Sequence, residues 1–128
     1  MDEIEIVRGI YAAMASKDVE HLVSVLAEDC VITQDDRLPW GGRHVGHEGF
    51  LHFALTLTGT IESKVEIESI FSADGEVIQC GRTRGTVVAN GASFDIPEVH
   101  RWTIRDGKAA AAHFAIDTPA MLAVLDPS

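Results

Sequence analysis

One strand-like segment carries the residues best suited to proton transfer. Between Phe94 and Ile104, strand alternation places Glu98 and His100 on the same face as Trp102. An imidazole titrates near neutrality, and burial in an apolar wall raises the pKa of a carboxyl toward the same range. If this face lies inward, we predict that His100 acts as a base or hydrogen-bond donor and that Glu98 orients it. The two side chains could instead pair with each other, or with loop backbone, as satisfied polar groups of a strand.

Aromatic and small residues elsewhere predict a cavity beside this pair. Trp40 lies in a loop that contains proline and glycine, while Phe50 and Phe114 occupy apolar positions of a helix and a strand. Residues 109–112 are alanines, which leave room beside large neighbours, although they could equally pack against another subunit. The side chains predicted to bind a ligand are Tyr11, Gln34, Trp40, His44, Phe50, Phe53, Arg82, Trp102 and Phe114.

Further histidines and arginines suggest two other kinds of site. The loop residues His44 and His47, with His52 in a helix, raise the question of zinc. His47 and His52 do not share a helix face, and no cysteine or carboxylate completes the ligand set, so no metal or other cofactor is predicted. Arg82 and Arg84 share one face of a strand, where they could clamp an anionic ligand or pair with surface acids.

The elements that hold these residues follow the order helices, then strands. Helical spacing predicts helices at 3–15, from Asp18 to Leu26, at 46–58 and at 119–125. β-branched runs and Asp-Gly or Asn-Gly turns predict strands at Cys30–Thr33, 61–72, 76–89, 93–105 and 108–117. This order predicts an α+β domain in which a curved, mixed or antiparallel sheet forms a cone around the N-terminal helices.

Length and charge restrict the class of protein. The 128 residues fit one domain, 1–128. A net charge of -10 opposes a phosphate backbone, so no nucleic acid partner is expected.

The acidic N-terminus differs from a secretory signal and no apolar run approaches the length of a membrane span, so a cytoplasmic protein without a membrane partner is expected. Cys30 and Cys80 lie far apart in apolar surroundings and are predicted to be buried free thiols.

Short motifs along nearly the whole chain resemble one known family. They are Ile10–Met14 before Lys17-Asp18, Leu26–Asp29, Leu38–Gly42, Gly81–Gly85, His100–Lys108 and Asp117-Thr118. In this order they resemble the SnoaL-like, ketosteroid-isomerase-related branch of the nuclear-transport-factor-2-like superfamily. The resemblance implies a cystatin-like, nuclear-transport-factor-2-like roll of about four or five strands. It also implies a homodimer formed through the sheet and no required cofactor, but it does not fix an activity.

The resemblance also suggests where a site should lie. Ketosteroid isomerases use a tyrosine on the first helix, an aspartate at the end of the first strand and a second acid on the penultimate strand. By position the aspartate corresponds to Gln34, which cannot abstract a proton, and the second acid to His100. Tyr11 is one residue away from the expected register, and Asp35 is the nearest acid to Gln34. The acid typical of related epoxide hydrolases is replaced by Phe114.

These observations support three hypotheses. The first is acid–base chemistry on a small, apolar carbonyl compound, as in an isomerase, cyclase or dehydratase. The second is a non-catalytic module that binds a small apolar or carbonyl-containing molecule in the same cavity. The third is a structural dimer whose cavity is filled by its own side chains. The glutamine at position 34 shifts weight from the first hypothesis toward the second.

Overall fold

The structure, a computed structural model, describes residues 2–126. The helices are α1 (Glu3–Ser16), α2 (Val19–Val25), α3 (Gly46–Thr60) and α4 (Thr118–Leu125). The strands are β1 (Leu26–Gln34), β2 (Gly42–Val45), β3 (Ile61–Ala73), β4 (Glu76–Val87), β5 (Ser93–Arg105) and β6 (Lys108–Ile116).

Aspartates fix where three of the helices begin. Asp2 accepts a hydrogen bond from the backbone N–H of Ile4, so it caps α1. Asp18 caps α2 and Asp117 caps α4 in the same manner. Lys17 adopts a left-handed conformation (φ 58°) that ends α1 and separates it from α2.

The six strands form one curved, unclosed sheet in the order β2-β1-β6-β5-β4-β3. Neighbouring strands are antiparallel except β1 and β6, which are parallel. The two-residue turns Asp74-Gly75 and Asp106-Gly107 have positive φ at both positions, the geometry of tight hairpins that matches strand twist. The predicted α+β fold with its curved mixed sheet is therefore confirmed.

The first part of the sheet differs from the sequence prediction. β1 begins at Leu26 rather than at Cys30. It therefore includes Leu26, the residue predicted to end the second helix. A short strand, β2, was not predicted; it pairs with the end of β1 and carries His44. The sheet thus has six strands rather than four or five, because an edge strand this short has no periodicity that a sequence reveals.

The helices cover the concave face of the sheet and enclose the core. α1 contacts β3 and β4, while α3 contacts β1, β2 and β3. Cys30 is buried and free as predicted, but Cys80, also free, is only half-buried because it lies on the outer face of β4. Within residues 2–126, no helix is both long and apolar enough to span a membrane.

Candidate functional site

Strand β5 delivers the predicted proton-transfer pair to the inside of the sheet. Its residues alternate strictly between buried and exposed from Phe94 to Trp102. Glu98 and His100 are buried, at 4% and 6% exposure, whereas Val99 and Arg101 point outward. The predicted phase of the strand is therefore confirmed.

A row of inward-facing side chains crosses four strands at the level of His100. Gln79 of β4 lies opposite His100 on one side, and Phe114 of β6 lies opposite it on the other. Gln34, at the end of β1, pairs in turn with Phe114. One step along the sheet, Glu98 lies between Gly81 and Ile116. Register thus brings together residues that are as much as 80 positions apart in sequence.

The hydroxyl of Tyr11 reaches this row from helix α1. It accepts hydrogen bonds from Trp102 Nε1 at 2.9 Å and from Gln79 Nε2 at 3.2 Å. Because both partners donate, its own proton goes to His100 Nδ1 at 2.7 Å. His100 must then carry its proton on Nε2, which lies 3.4 Å from Glu98 Oε2. Burial raises the pKa of Tyr11 well above its ordinary value of 10.0, so the hydroxyl stays protonated.

The two titratable groups of the pair have opposite pKa shifts. Burial raises the pKa of Glu98 from 4.5 to about 7, although a hydrogen bond from Gln79 lowers it in part. Burial lowers the pKa of His100 from 6.5 to about 3, with a smaller contribution from His113. At neutral pH, His100 is therefore a neutral hydrogen-bond donor through Nε2, and Glu98 is the group that exchanges a proton.

The carboxyl of Glu98 is only partly used by the protein. Gln79 Nε2 donates to Oε2 at 2.6 Å. Oε1 accepts no hydrogen bond from any residue in 2–126, so it can accept a proton from a ligand.

Glu98 and His100 line a cavity of about 70 Å³ between the sheet and the helices. Its apolar walls include Met14, Trp40, Phe53, Leu57, Phe114 and Met121. Its polar lining consists of Gln34, Ser63, Thr83, Glu98 and His100. A cavity of roughly 150 Å³ admits benzene, so the space found here suits a molecule smaller than benzene.

Several other predicted ligand residues reach the cavity or support its wall. Gln34 Oε1 accepts a hydrogen bond from Trp40 Nε1 at 2.9 Å, and both residues line the cavity. Phe53 packs against Phe114, with ring centroids 5.7 Å apart. Trp102 lies behind the cavity wall and acts through its bond to Tyr11.

Five of the predicted ligand residues do not line the cavity. They are Tyr11 and Trp102, which lie behind its wall, and Phe50, His44 and Arg82. Phe50 is buried in the core on α3 and does not line the cavity. His44 is on β2 rather than in a loop, and its Nε2 donates to the carbonyl oxygens of Trp40 and Gly41. Arg82 faces outward and pairs with Asp95, because the inward positions of β4 are the odd-numbered ones. The alternative role considered for arginines on this strand, pairing with surface acids, is the one the structure shows.

The remaining histidines and the nearest acid also have structural partners. His47 lies in the first turn of α3, not in a loop, and its Nε2 donates to the carbonyl oxygen of Leu26. Asp35 is held by Arg37, whose hydrogen bonds lower its pKa to about 2. It therefore does not replace the missing acid at position 34. Among residues 2–126, no group of three or more histidine, cysteine or acidic side chains is placed to hold a metal ion.

Gln79 is the main site residue that the sequence did not reveal. It is fully buried and bonds to both Tyr11 and Glu98. Its segment, Glu76–Cys80, carries no clean alternation of polar and apolar residues. The signal that could have found it is the register with β5, which places it opposite His100.

Comparisons with known proteins identify the family of this chain. The family model of the SnoaL-like domain matches residues 7–112. The chain is a SnoaL-like protein. No curated protein matches this SnoaL-like chain.

Solved structures share the fold of this SnoaL-like protein over nearly its whole length. An NTF2-like protein of unknown function from Burkholderia pseudomallei is 25% identical, with a TM-score of 0.88 and 95% of each chain covered. An NTF2-like protein from Burkholderia xenovorans is 25% identical, with a TM-score of 0.87, covering 96% of this chain and 95% of the other. A protein with a ketosteroid isomerase-like fold from Catenulispora acidiphila, in complex with trimethylamine, is 19% identical. Its TM-score is 0.80, and 94% of this chain and 91% of the other are covered.

Proposed function

We propose that the cavity catalyses proton transfer at the carbon next to the carbonyl group of a small apolar compound. The observation that carries this proposal is a buried carboxyl, Glu98, with a pKa of about 7, beside a neutral imidazole in a cavity wall. A general base works best when its pKa lies near the working pH. The sequence had suggested His100 as the base, but its lowered pKa makes it a poor one.

The chemical step assigns one role to each group. Ionised Glu98 takes a proton from the carbon through Oε1. The electron pair of the broken C–H bond forms a C=C bond, and the π pair of the carbonyl group moves to its oxygen. His100 Nε2–H donates a hydrogen bond to the resulting enolate oxygen, as a neutral imidazole can in a dry site. Protonated Glu98 then returns the proton to the same carbon or to another carbon of the enolate, which gives exchange or isomerisation.

Gln34 supplies a second donor for the substrate oxygen. Its Oε1 is occupied by Trp40, which fixes the orientation of the amide. Its Nε2 donates to no residue in 2–126, and the side chain lines the cavity. The glutamine that stands where related isomerases have a base would thus bind the carbonyl rather than remove the proton.

The test is exchange of hydrogen for deuterium in small ketones, followed by proton NMR in heavy water. Acetone, butanone and methyl vinyl ketone are smaller than benzene and suit the cavity. The wild-type protein should accelerate exchange, and Glu98→Gln should lower the rate by about 100-fold or more. Glu66→Gln is the matched control, because Glu66 is exposed and pairs with Arg84 on the surface. Exchange at the buffer rate with every compound, or undiminished exchange in Glu98→Gln, would refute the catalytic proposal.

The second candidate function is binding without turnover, which the small volume of the cavity favours. Binding pockets for drug-sized ligands measure about 300 Å³ or more, whereas this cavity measures about 70 Å³. The Catenulispora protein, of similar fold, is in complex with trimethylamine, a molecule of this size class. In this chain, a small amine would find aromatic walls and Glu98 as a counter-ion. Titration of the Trp40 indole N–H resonance with trimethylamine and with butanone would show which of the two occupies the cavity.

We also propose that the chain forms a homodimer through the outer face of the sheet. Val99, at the centre of this face, is 42% exposed and lies between Cys80 and Ala115. Phe71, on the outer face of β3, is 44% exposed beside Ile78. Covering these apolar side chains would stabilise a dimer and leave the cavity on the opposite face free.

A further inference from the structure

Gln79 lies behind the cavity wall and has no role in the proton transfer proposed above. The side chain is fully buried and does not line the cavity. Its Nε2 lies 2.6 Å from Glu98 Oε2 and 3.2 Å from the hydroxyl oxygen of Tyr11. Its Oε1 is the one buried side-chain polar atom in residues 2–126 that has no hydrogen-bond partner.

The orphaned oxygen lies over Gly81, next to a backbone carbonyl. A Cβ added to Gly81 would meet the carbonyl oxygen of Glu66 and Gln79 Oε1, at 2.1 and 2.4 Å. Both acceptors thus border the space left by the absent side chain, and Gln79 Oε1 receives no hydrogen bond there. If the amide turned by 180°, its Nε2 would face the Glu66 carbonyl and its Oε1 would face Glu98.

The two amide orientations suit the two protonation states of Glu98. An ionised carboxyl can only accept, so it requires the N–H side of the amide. A protonated carboxyl can donate its O–H, so it requires the oxygen side. We propose that Gln79 is a positioning residue whose side-chain amide rotates by 180° as Glu98 gains and loses its proton. This proposal rests on the proposed function, in which Glu98 passes through both states.

The surroundings of Glu98 leave this role to Gln79. The titratable groups beside it are Tyr11 from α1 and His100 from its own strand, and neither carries a charge at neutral pH. The residues opposite Glu98 on the neighbouring strands are Gly81 and Ile116. The amide is therefore the group that can respond to the charge on Glu98. By providing a partner in either state, it reduces the difference in free energy between the ionised and neutral forms.

The first test measures the pKa of Glu98 in Gln79→Leu by ¹³C NMR of the side-chain carboxyl. Leucine keeps the approximate volume but removes the hydrogen-bond partner of both forms of Glu98. The bond to the ionised carboxyl is the stronger of the two, so the pKa of Glu98 should rise by about one. Thr86→Val is the matched control, because Thr86 lies on the outer face of the same strand and does not line the cavity. It should leave the pKa unchanged. An unchanged pKa in Gln79→Leu would overturn the proposal.

The second test uses the wild-type protein and does not depend on whether a variant folds. Neutron diffraction at about pH 5.5 and about pH 8.5 brackets the Glu98 pKa of about 7. The amide deuterons should point toward Glu98 at the higher pH and toward the Glu66 carbonyl at the lower pH. The same orientation at both pH values would refute the proposed rotation of the amide. Neither test requires a substrate. If the Gln79 amide rotates with pH but the protein exchanges no ketone, only the proposed function is refuted.

Discussion

Replacing Glu98 with glutamine removes a titrating group from the core while keeping the shape of its protonated form. In the wild type, the pKa of Glu98 is 4.5 in its ordinary state and about 7 in the folded protein. The folded chain therefore holds a proton that the unfolded chain has released between these two pH values. The stabilisation from neutral Glu98 is fully present below the unfolded pKa and is lost as the pH rises through the folded pKa.

The size of this loss follows from the gap between the two pKa values. Each pKa unit corresponds to 1.36 kcal/mol, so the gap of about 2.5 corresponds to about 3 kcal/mol. Glu98→Gln does not undergo this loss. Relative to the wild type, its free energy of unfolding should rise by about 3 kcal/mol between about pH 4.5 and about pH 8. The opposite contribution of His100, which is lost as the pH falls from 6.5 toward 3, is present in both proteins and cancels in the difference.

Urea unfolding followed by tryptophan fluorescence at several pH values provides the measurement. Glu66→Gln serves as the control, because its exposed carboxylate should give no comparable pH dependence. A difference between Glu98→Gln and wild type that does not change with pH would refute the claim that burial raises the pKa of Glu98.

Three further predictions concern the supports of the site and the outer surface. Tyr11→Phe leaves the Trp102 indole and the Gln79 amide without their shared acceptor, so the free energy of unfolding should fall by about 2–4 kcal/mol in urea; a fall below about 0.5 kcal/mol would show that the hydroxyl is not needed. Asp35→Asn removes an exposed ion pair with Arg37, so it should change neither the rate of ketone exchange nor the urea midpoint. A loss of exchange would show that Asp35 takes part in the reaction. Val99→Asp should convert the dimer to a monomer, as measured by size-exclusion chromatography with light scattering. Val88→Asp is the control, because Val88 is exposed but lies outside the strands, and this variant should remain a dimer. A monomeric wild type would refute the dimer.

Local rules allowed much of the fold to be predicted from sequence. The alternation in β5 gave the inward phase of Glu98 and His100, because the side-chain period of a strand is strict. The turns Asp74-Gly75 and Asp106-Gly107 gave the hairpins, because two left-handed residues in succession select that turn.

Features that depend on non-local pairing were out of reach. The parallel contact between β1 and β6 joins distant segments, and no local pattern reports it. Arg82 was assigned to the cavity because Val77–Arg84 does not reveal its phase, which is set by pairing with β5. Gln79 was missed for the same reason.

The roles within the pair could not be assigned from residue type. An exposed histidine is the better base at neutral pH, and the sequence prediction followed that rule. Burial reverses the order, because it disfavours the charged imidazolium and the charged carboxylate alike. Only the depth of the site shows that Glu98 becomes the titrating group.

The pKa of Glu98 in the wild-type protein tests the central claim most directly. Titration of its side-chain ¹³C carboxyl resonance, assigned by comparison with Glu98→Gln, should give a midpoint at about 7. A midpoint near the ordinary value of 4.5 would mean that Glu98 is ionised and solvated at neutral pH, and it would contradict proton transfer by this residue.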